Sequence, residues 1–307
     1  MNVGATLIAS LLAVLARPAT WPLALLGFLV RGGWLLIVAP IVVVPTPVGL
    51  ANIVAPLLED VAFGRRTDEL MALVAVVVVA AIAWLIVGGL TAAIAEADGV
   101  RRIADEQGFQ WKGGSVAWRI AGVRLIAHLP LAIGAAWAAV RIVSVAYREL
   151  TVPSDVTVPA AWRIVAGAPD AFAIVAVTWL VGEIVGALAT RRIVLAGDGA
   201  LAALRAAIGR VREDPARMLT LGIAGTAALV IVLATTGLAA GATWNALGAA
   251  LSIGDASTAT TVLVLVFVGL FGGGLVLIGL VSAWRAAIWT MVMGGTFGGG
   301  NDTRSGD

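Results

Sequence analysis

Residues 28–49 read FLVRGGWLLIVAPIVVVPTPVG. Apart from Arg31, nothing in this run before Pro40 would be out of place in lipid. A helix needs about 20 such residues to cross the hydrocarbon core of a bilayer. Runs of this kind recur along the whole 307-residue chain. Its composition is 61% hydrophobic and only 12% charged, with a mean hydropathy of +1.03, whereas a soluble domain carries roughly a quarter charged residues. The expected fold is therefore all-α, a polytopic membrane helix bundle of six transmembrane helices with interfacial amphipathic helices beside it.

Working outward, the first span covers 22–44 and should stop at Pro45 and Pro47, because proline cannot continue a helix. The short apolar stretch 50–58 would then rest on the far surface. Further spans are expected at 69–95, 118–147, 165–190, 217–240 and 261–290. Before them, residues 1–17 place Val3, Leu7, Ile8, Leu11, Leu12 and Leu15 on one face and Asn2, Thr6 and Ser10 on the other. That spacing predicts an amphipathic helix lying in the interface. The segment lacks the basic start of a signal peptide. All of 1–295 reads as one bundle, and 296–307 as a Gly-rich, disordered polar tail.

The segment between spans four and five, TRRIVLAGDGALAALRAAIGRVREDPARML at 190–219, carries a second amphipathic pattern. Leu201, Leu204, Ile208 and Val211 share one face of a helix over 198–213, with Arg205 and Arg212 directed away. This helix is read either as a connector or as a dock for a cytoplasmic protein partner through Arg205 and Arg212.

Orientation follows from the basic residues, which are retained on the cytoplasmic side of a membrane. Arg17, Arg101, Arg102, Lys112, Arg119, Arg191, Arg192, Arg205, Arg210, Arg212, Arg217 and Arg304 fall on one side. Arg65, Arg66, Arg148 and Arg163 fall on the other. Both termini are thus expected in the cytoplasm, in a multi-pass protein of the inner (cytoplasmic) membrane. Trp21, Trp111, Trp118 and Trp244 would anchor the span ends, while Trp34, Trp84, Trp137 and Trp179 would pack between helices.

Composition also excludes chemistry. The net charge of +2 gives no reason to expect a nucleic-acid partner, and there is no cysteine and a single histidine, His128. Thiolate sites, disulfides and any site needing two imidazoles are ruled out. No metal or cofactor is expected, since no HExxH, phosphate loop or dinucleotide fingerprint occurs in a suitable context.

The informative residues are the charges inside spans: Arg31, His128, Glu183 and Arg285. Each costs about 2.5–3.5 kcal/mol at the centre of a span, so such groups turn inward, pair, or line a wet cavity. At 1.5 Å per residue, Arg31 and His128 lie ~15 Å, and Glu183 ~12 Å, from the cytoplasmic boundary. Glu183 is the expected partner of Arg31, with His128 close by and Arg285 supplying surplus positive charge. The plainer alternative makes Arg31–Glu183 polar glue and lets Arg285 snorkel to the interface. Arg141 and Asp170 form a second expected pair, structural in role, in the outer half.

RGGWLLIVAPIVVVPTP together with TRRIVLAGDGALAALRAAIGRVREDPARML resembles bacterial six-helix membrane proteins of uncharacterised function. The layout is similar to the membrane domain that precedes the catalytic barrel in some glycerophosphodiester phosphodiesterases. The resemblance implies an all-α bundle with an interfacial helix between spans four and five. No barrel follows span six, so no phosphodiesterase activity is implied.

The leading expectation is a non-enzymatic integral membrane protein that binds or handles an anionic lipid or small amphiphile. Its site would be a cytoplasm-facing cavity built from Arg31, His128, Glu183 and Arg285, with membrane lipids as its partners. Two alternatives stand beside it. One is a transporter subunit docking a partner on the 198–213 helix, and the other is an intramembrane hydrolase.

Overall fold

The computed structural model describes residues 2–42, 68–112, 114–155, 157–252 and 258–297. The stretch 50–58, the stops at Pro45 and Pro47, and the tail from 298 lie outside them. The architecture is all-α, and six of its helices are long and apolar enough to cross a membrane. The chain is a multi-pass integral membrane protein.

Helix α1 (Val3–Ala16) is capped by the Asn2 side chain, which accepts from the Ala5 N–H at 2.7 Å. Its small polar face, Thr6 and Ser10, is buried against the bundle, while Ile8, Leu12 and Leu15 point outward. The helix thus turns its small polar residues inward, with Val3 and Leu7 packed against the core beside them. Both hydroxyls donate to carbonyls of the same helix, Thr6 to Asn2 at 3.0 Å and Ser10 to Leu7 at 2.9 Å. Small residues with satisfied hydroxyls let helices approach closely, and apolar side chains lose nothing by facing lipid. The Trp284 indole N–H locks the contact by reaching the Leu7 carbonyl and Ser10 Oγ.

The first span is broken. Helix α2 (Thr20–Phe28) runs into a π-type turn over Leu29–Gly33, then α3 (Trp34–Val38) and a 3-10 turn over Ala39–Ile41. The break sits at Gly32, whose φ of 98° is open to glycine and strained for other residues. Beyond it, Pro40 settles against α10 (Pro215–Ser252), where Gly237 and Gly241 provide the groove. A Cβ on Gly241 would lie 3.1 Å from the Pro40 carbonyl oxygen. Gly269 and Gly273, spaced four apart in the same way, have open space around them and make no such contact.

Helix α4 (Asp68–Glu106) is 39 residues long. At 1.5 Å per residue that is ~58 Å, nearly twice the hydrocarbon thickness. It continues well past the expected end at residue 95 and carries Glu96 with it. The expected third span divides at His128 into α5 (Ala117–Ala127) and α6 (Leu129–Thr151), with Pro130 in the first turn of α6. The fourth divides at Ala168 into α7 (Ala160–Gly167) and α8 (Pro169–Arg191). Proline at the second position of α6 and at the first of α8 starts each new helix without a lost hydrogen bond. Helices α9 (Ala200–Glu213) and α11 (Thr258–Phe297) complete the bundle.

The core gathers around the second half of α8, where Ile184 to Arg191 are all buried. Ile184, Ala187 and Leu188 pack with Ala93 and Val100 of α4, Ile120 and Val123 of α5, and Leu221 and Ile288 of α10 and α11. Helix α9 joins the same core through Ala203 and Ala207, with Leu204 and Val211 at the edge. Leu201 and Ile208 remain exposed. Its inward face is therefore set by its smallest residues rather than its largest. Trp34, Trp84 and Trp137 are exposed on the outside of the bundle, although Trp34 of α3 and Trp84 of α4 meet edge to face with ring centroids 6.3 Å apart. Of the deeper tryptophans, Trp179 turns inward to line a cavity.

Candidate functional site: an arginine-walled cavity

Two carboxylates organise the interior. Glu96, on α4, has a side chain only 7% exposed and is bound by arginines from three other elements. Arg31 Nη2 donates to it at 2.5 Å, Arg191 Nη1 at 2.6 Å and Arg124 Nε at 3.2 Å, while Arg124 Nη2 makes a further short contact. Glu183, on α8, faces Arg124 Nη1 at 3.2 Å, His128 Nε2 at 3.7 Å and Arg285 Nη2 at 3.9 Å. Arg124 thus bridges the two carboxylates. His128 Nδ1 lies 2.8 Å from the Arg124 carbonyl. A carbonyl can only accept, so Nδ1 carries a proton and Nε2 is turned toward Glu183.

Local sequence explains how such large side chains fit. Arg31 is carried on the π-type turn just before Gly32. Arg124 lies across Gly186, where an added Cβ would sit 3.0 Å from its Cδ. Arg285 lies across Gly225 in the same way, 2.9 Å from Cγ. Arg191, 1% exposed, also donates to the Ala187 and Ala286 carbonyls at 3.0 Å. Arg285 makes no hydrogen bond among the described residues, and its guanidinium stacks 5.6 Å from the Trp179 ring.

These groups wall a cavity of about 370 Å³ between α2, the π-type turn, α4, α8, α10 and α11. Four arginines (31, 124, 191 and 285) and two glutamates (96 and 183) line it, leaving a formal surplus of two positive charges. The rest of the wall is mainly apolar and includes Leu23, Phe28, Leu36, Leu229, Val230 and Leu233. Ser282 Oγ, also in the wall, is buried without a hydrogen-bond partner among the described residues.

The residues expected from sequence are distributed as follows. Arg31, Glu183 and Arg285 share the cavity wall, and His128 stands behind Glu183. Arg31 pairs with Glu96 rather than Glu183. The π-type turn directs its guanidinium toward α4, and Arg124 and Arg285 already face Glu183. Arg141 Nε and Asp170 Oδ2 lie 3.2 Å apart, both nearly half exposed, and neither lines the cavity. Arg205 and Arg212 are exposed on α9, apart from the cluster. No group of three or more histidine or acidic side chains among the described residues could hold a metal.

Sequence reasoning missed Glu96, Arg124 and Arg191. Glu96 lies one residue past the expected end of span two, and Arg191 was assigned to the loop after span four. The usable signal for Glu96 was its setting, TAAIAEADG, where alanines on either side mark a packed face. For Arg124 it was the i, i+4 spacing to His128, which puts both on one helical face.

No family model matches the chain, and comparison with curated proteins and with solved structures finds no match.

Proposed function

We propose that this protein binds an anionic amphiphile, without enzymatic activity, in the cavity walled by Arg31, Arg124, Arg191 and Arg285. The observation that supports this is the charge balance. Four guanidiniums against two carboxylates, in a space otherwise lined mainly by apolar side chains, match a ligand with an anionic head and a greasy tail. Internal pairing alone would be met by equal numbers of each sign, because an unpaired charge held away from water is costly. Glu96 and Glu183 hold the arginines in place.

In the proposed setting the protein sits in the cytoplasmic membrane with both termini inside, and its ligand is drawn from membrane lipids. The charge cluster would then lie in the cytoplasmic half of the bundle. Lipid extraction from purified wild type and from an Arg31→Ala/Arg285→Ala variant, each checked for intact folding, tests the reading. Anionic lipid should be depleted in the variant. Equal anionic-lipid content in two well-folded preparations would overturn the proposal.

A further inference from the structure

The kind of anion can be narrowed, on the premise that the cavity does hold an anionic amphiphile. We propose that the headgroup is a phosphomonoester, a terminal phosphate on a lipid, rather than a phosphodiester or a carboxylate. The first argument is charge. Arg31, Arg124, Arg191 and Arg285 carry four positive charges and Glu96 and Glu183 return two, so two are left to neutralise. A phosphomonoester carries about −1.5 to −2 near neutral pH, whereas a phosphodiester or a fatty-acid carboxylate carries one.

The second argument is geometry. The arginines arrive from four different elements, the π-type turn, α5, α8 and α11, and converge around Glu96 and Glu183. A monoester offers three unsubstituted oxygens in a tripod, which suits donors converging from several directions. A carboxylate offers only two oxygens, both in one plane, and a single guanidinium fork can satisfy it. Donor capacity remains for this purpose. Arg285 has only a 3.9 Å approach to Glu183, Arg31 spends a single Nη2 contact, and Ser282 Oγ is unpartnered among the described residues.

The third argument concerns the tail, and it separates a lipid from free phosphate. Leu36 and Val230, in the cavity's apolar lining, are 58% and 56% exposed, so the cavity opens beside them on the outer surface of the bundle. A second pocket that shares Leu36 and Leu233 with it holds only about 20 Å³, too little for an acyl chain, so the tail has to leave the bundle rather than stay within it. An acyl chain leaving the headgroup would pass out beside Leu36 and Val230 into the bilayer.

The test is a binding titration of the delipidated full chain in neutral detergent at about pH 8, followed by native mass spectrometry. The probes are dioleoyl phosphatidate, dioleoyl phosphatidylglycerol, oleate and inorganic phosphate. Phosphatidate should bind at least tenfold more tightly than phosphatidylglycerol or oleate. Arg285→Gln should remove most of that preference, while the surface change Arg205→Gln should leave it intact. Equal affinity for phosphatidate and phosphatidylglycerol would overturn the phosphomonoester assignment and leave the anionic-amphiphile reading standing. Inorganic phosphate binding as tightly as phosphatidate would overturn the lipid source. No binding by any of the four would overturn both readings. The headgroup comparison in wild type decides the matter even if Arg285→Gln does not fold.

Discussion

Glu96 and Arg191 stand 95 residues apart in the chain and 2.6 Å apart in space. Their contact joins the overlong second half of α4 to the last turn of α8. Arg31 and Arg124 close on the same carboxylate, so one acidic side chain gathers three helical segments and a π-type turn. The bundle interior around the cavity is held by that convergence as well as by packing.

Removing the Glu96 carboxylate therefore leaves three arginines short of their partner. Breaking a buried charge pair by deleting one side costs about 3–5 kcal/mol, and Glu96→Gln should lie in that range. Thermal unfolding in detergent would report a lowered midpoint, with Glu96→Asp intermediate because the charge is kept and the reach shortened. A midpoint equal to wild type for Glu96→Gln would show that the arginines find other partners.

The Arg141–Asp170 pair should behave differently. Both side chains are more than 40% exposed, and exposed ion pairs contribute about 0–1 kcal/mol. A double-mutant cycle with Arg141→Ala and Asp170→Ala should give a coupling energy below about 1 kcal/mol. A coupling of several kcal/mol would place this pair among the structural determinants of the bundle.

The contrast between these two predictions also marks what the sequence could disclose. The six spans were legible because apolar run length is a local property. The partner of Arg31 was not. Glu96 looked like the first residue of a loop because the apolar run of α4 ends beside it, yet the helix continues for ten more residues and keeps it buried. Arg191 stands beside Arg192 in a pair that reads as a membrane-edge signal, but only Arg192 pairs with the loop residue Asp198, at 2.6 Å. The inward direction of Thr6 and Ser10 was equally hidden. A 3.6-residue pattern gives two faces and does not say which of them meets protein.

Helix contacts built on glycine give a third prediction. A Cβ at Gly182 would approach the Ala127 carbonyl oxygen to 2.8 Å, a backbone atom that cannot rotate away. Gly182→Ala should destabilise by about 1–3 kcal/mol, the range for overpacking. The matched control is Gly122→Ala, where nothing lies within 4 Å of the new Cβ. There the helix propensity of alanine should raise stability by up to about 1 kcal/mol. The two substitutions should move the unfolding midpoint in opposite directions.

The last prediction concerns topology, and the absence of cysteine makes it clean to measure. Any single introduced cysteine is the only thiol in the chain. The turn holding Ser154 joins α6 to α7, and Gln107 lies in the connection between α4 and α5. Helix α6 separates these ends, so they should face opposite sides of the membrane. Arg205, on the connecting helix α9 beyond α8, should share the side of Gln107. In intact cells, or in their spheroplasts where an outer envelope exists, a membrane-impermeant maleimide should label Ser154→Cys. It should leave Gln107→Cys and Arg205→Cys unlabelled until the membrane is opened. Labelling of Arg205→Cys from outside with Ser154→Cys protected would invert the proposed orientation. The arginine cavity would then face away from the cytoplasm, although the bundle geometry would stand unchanged.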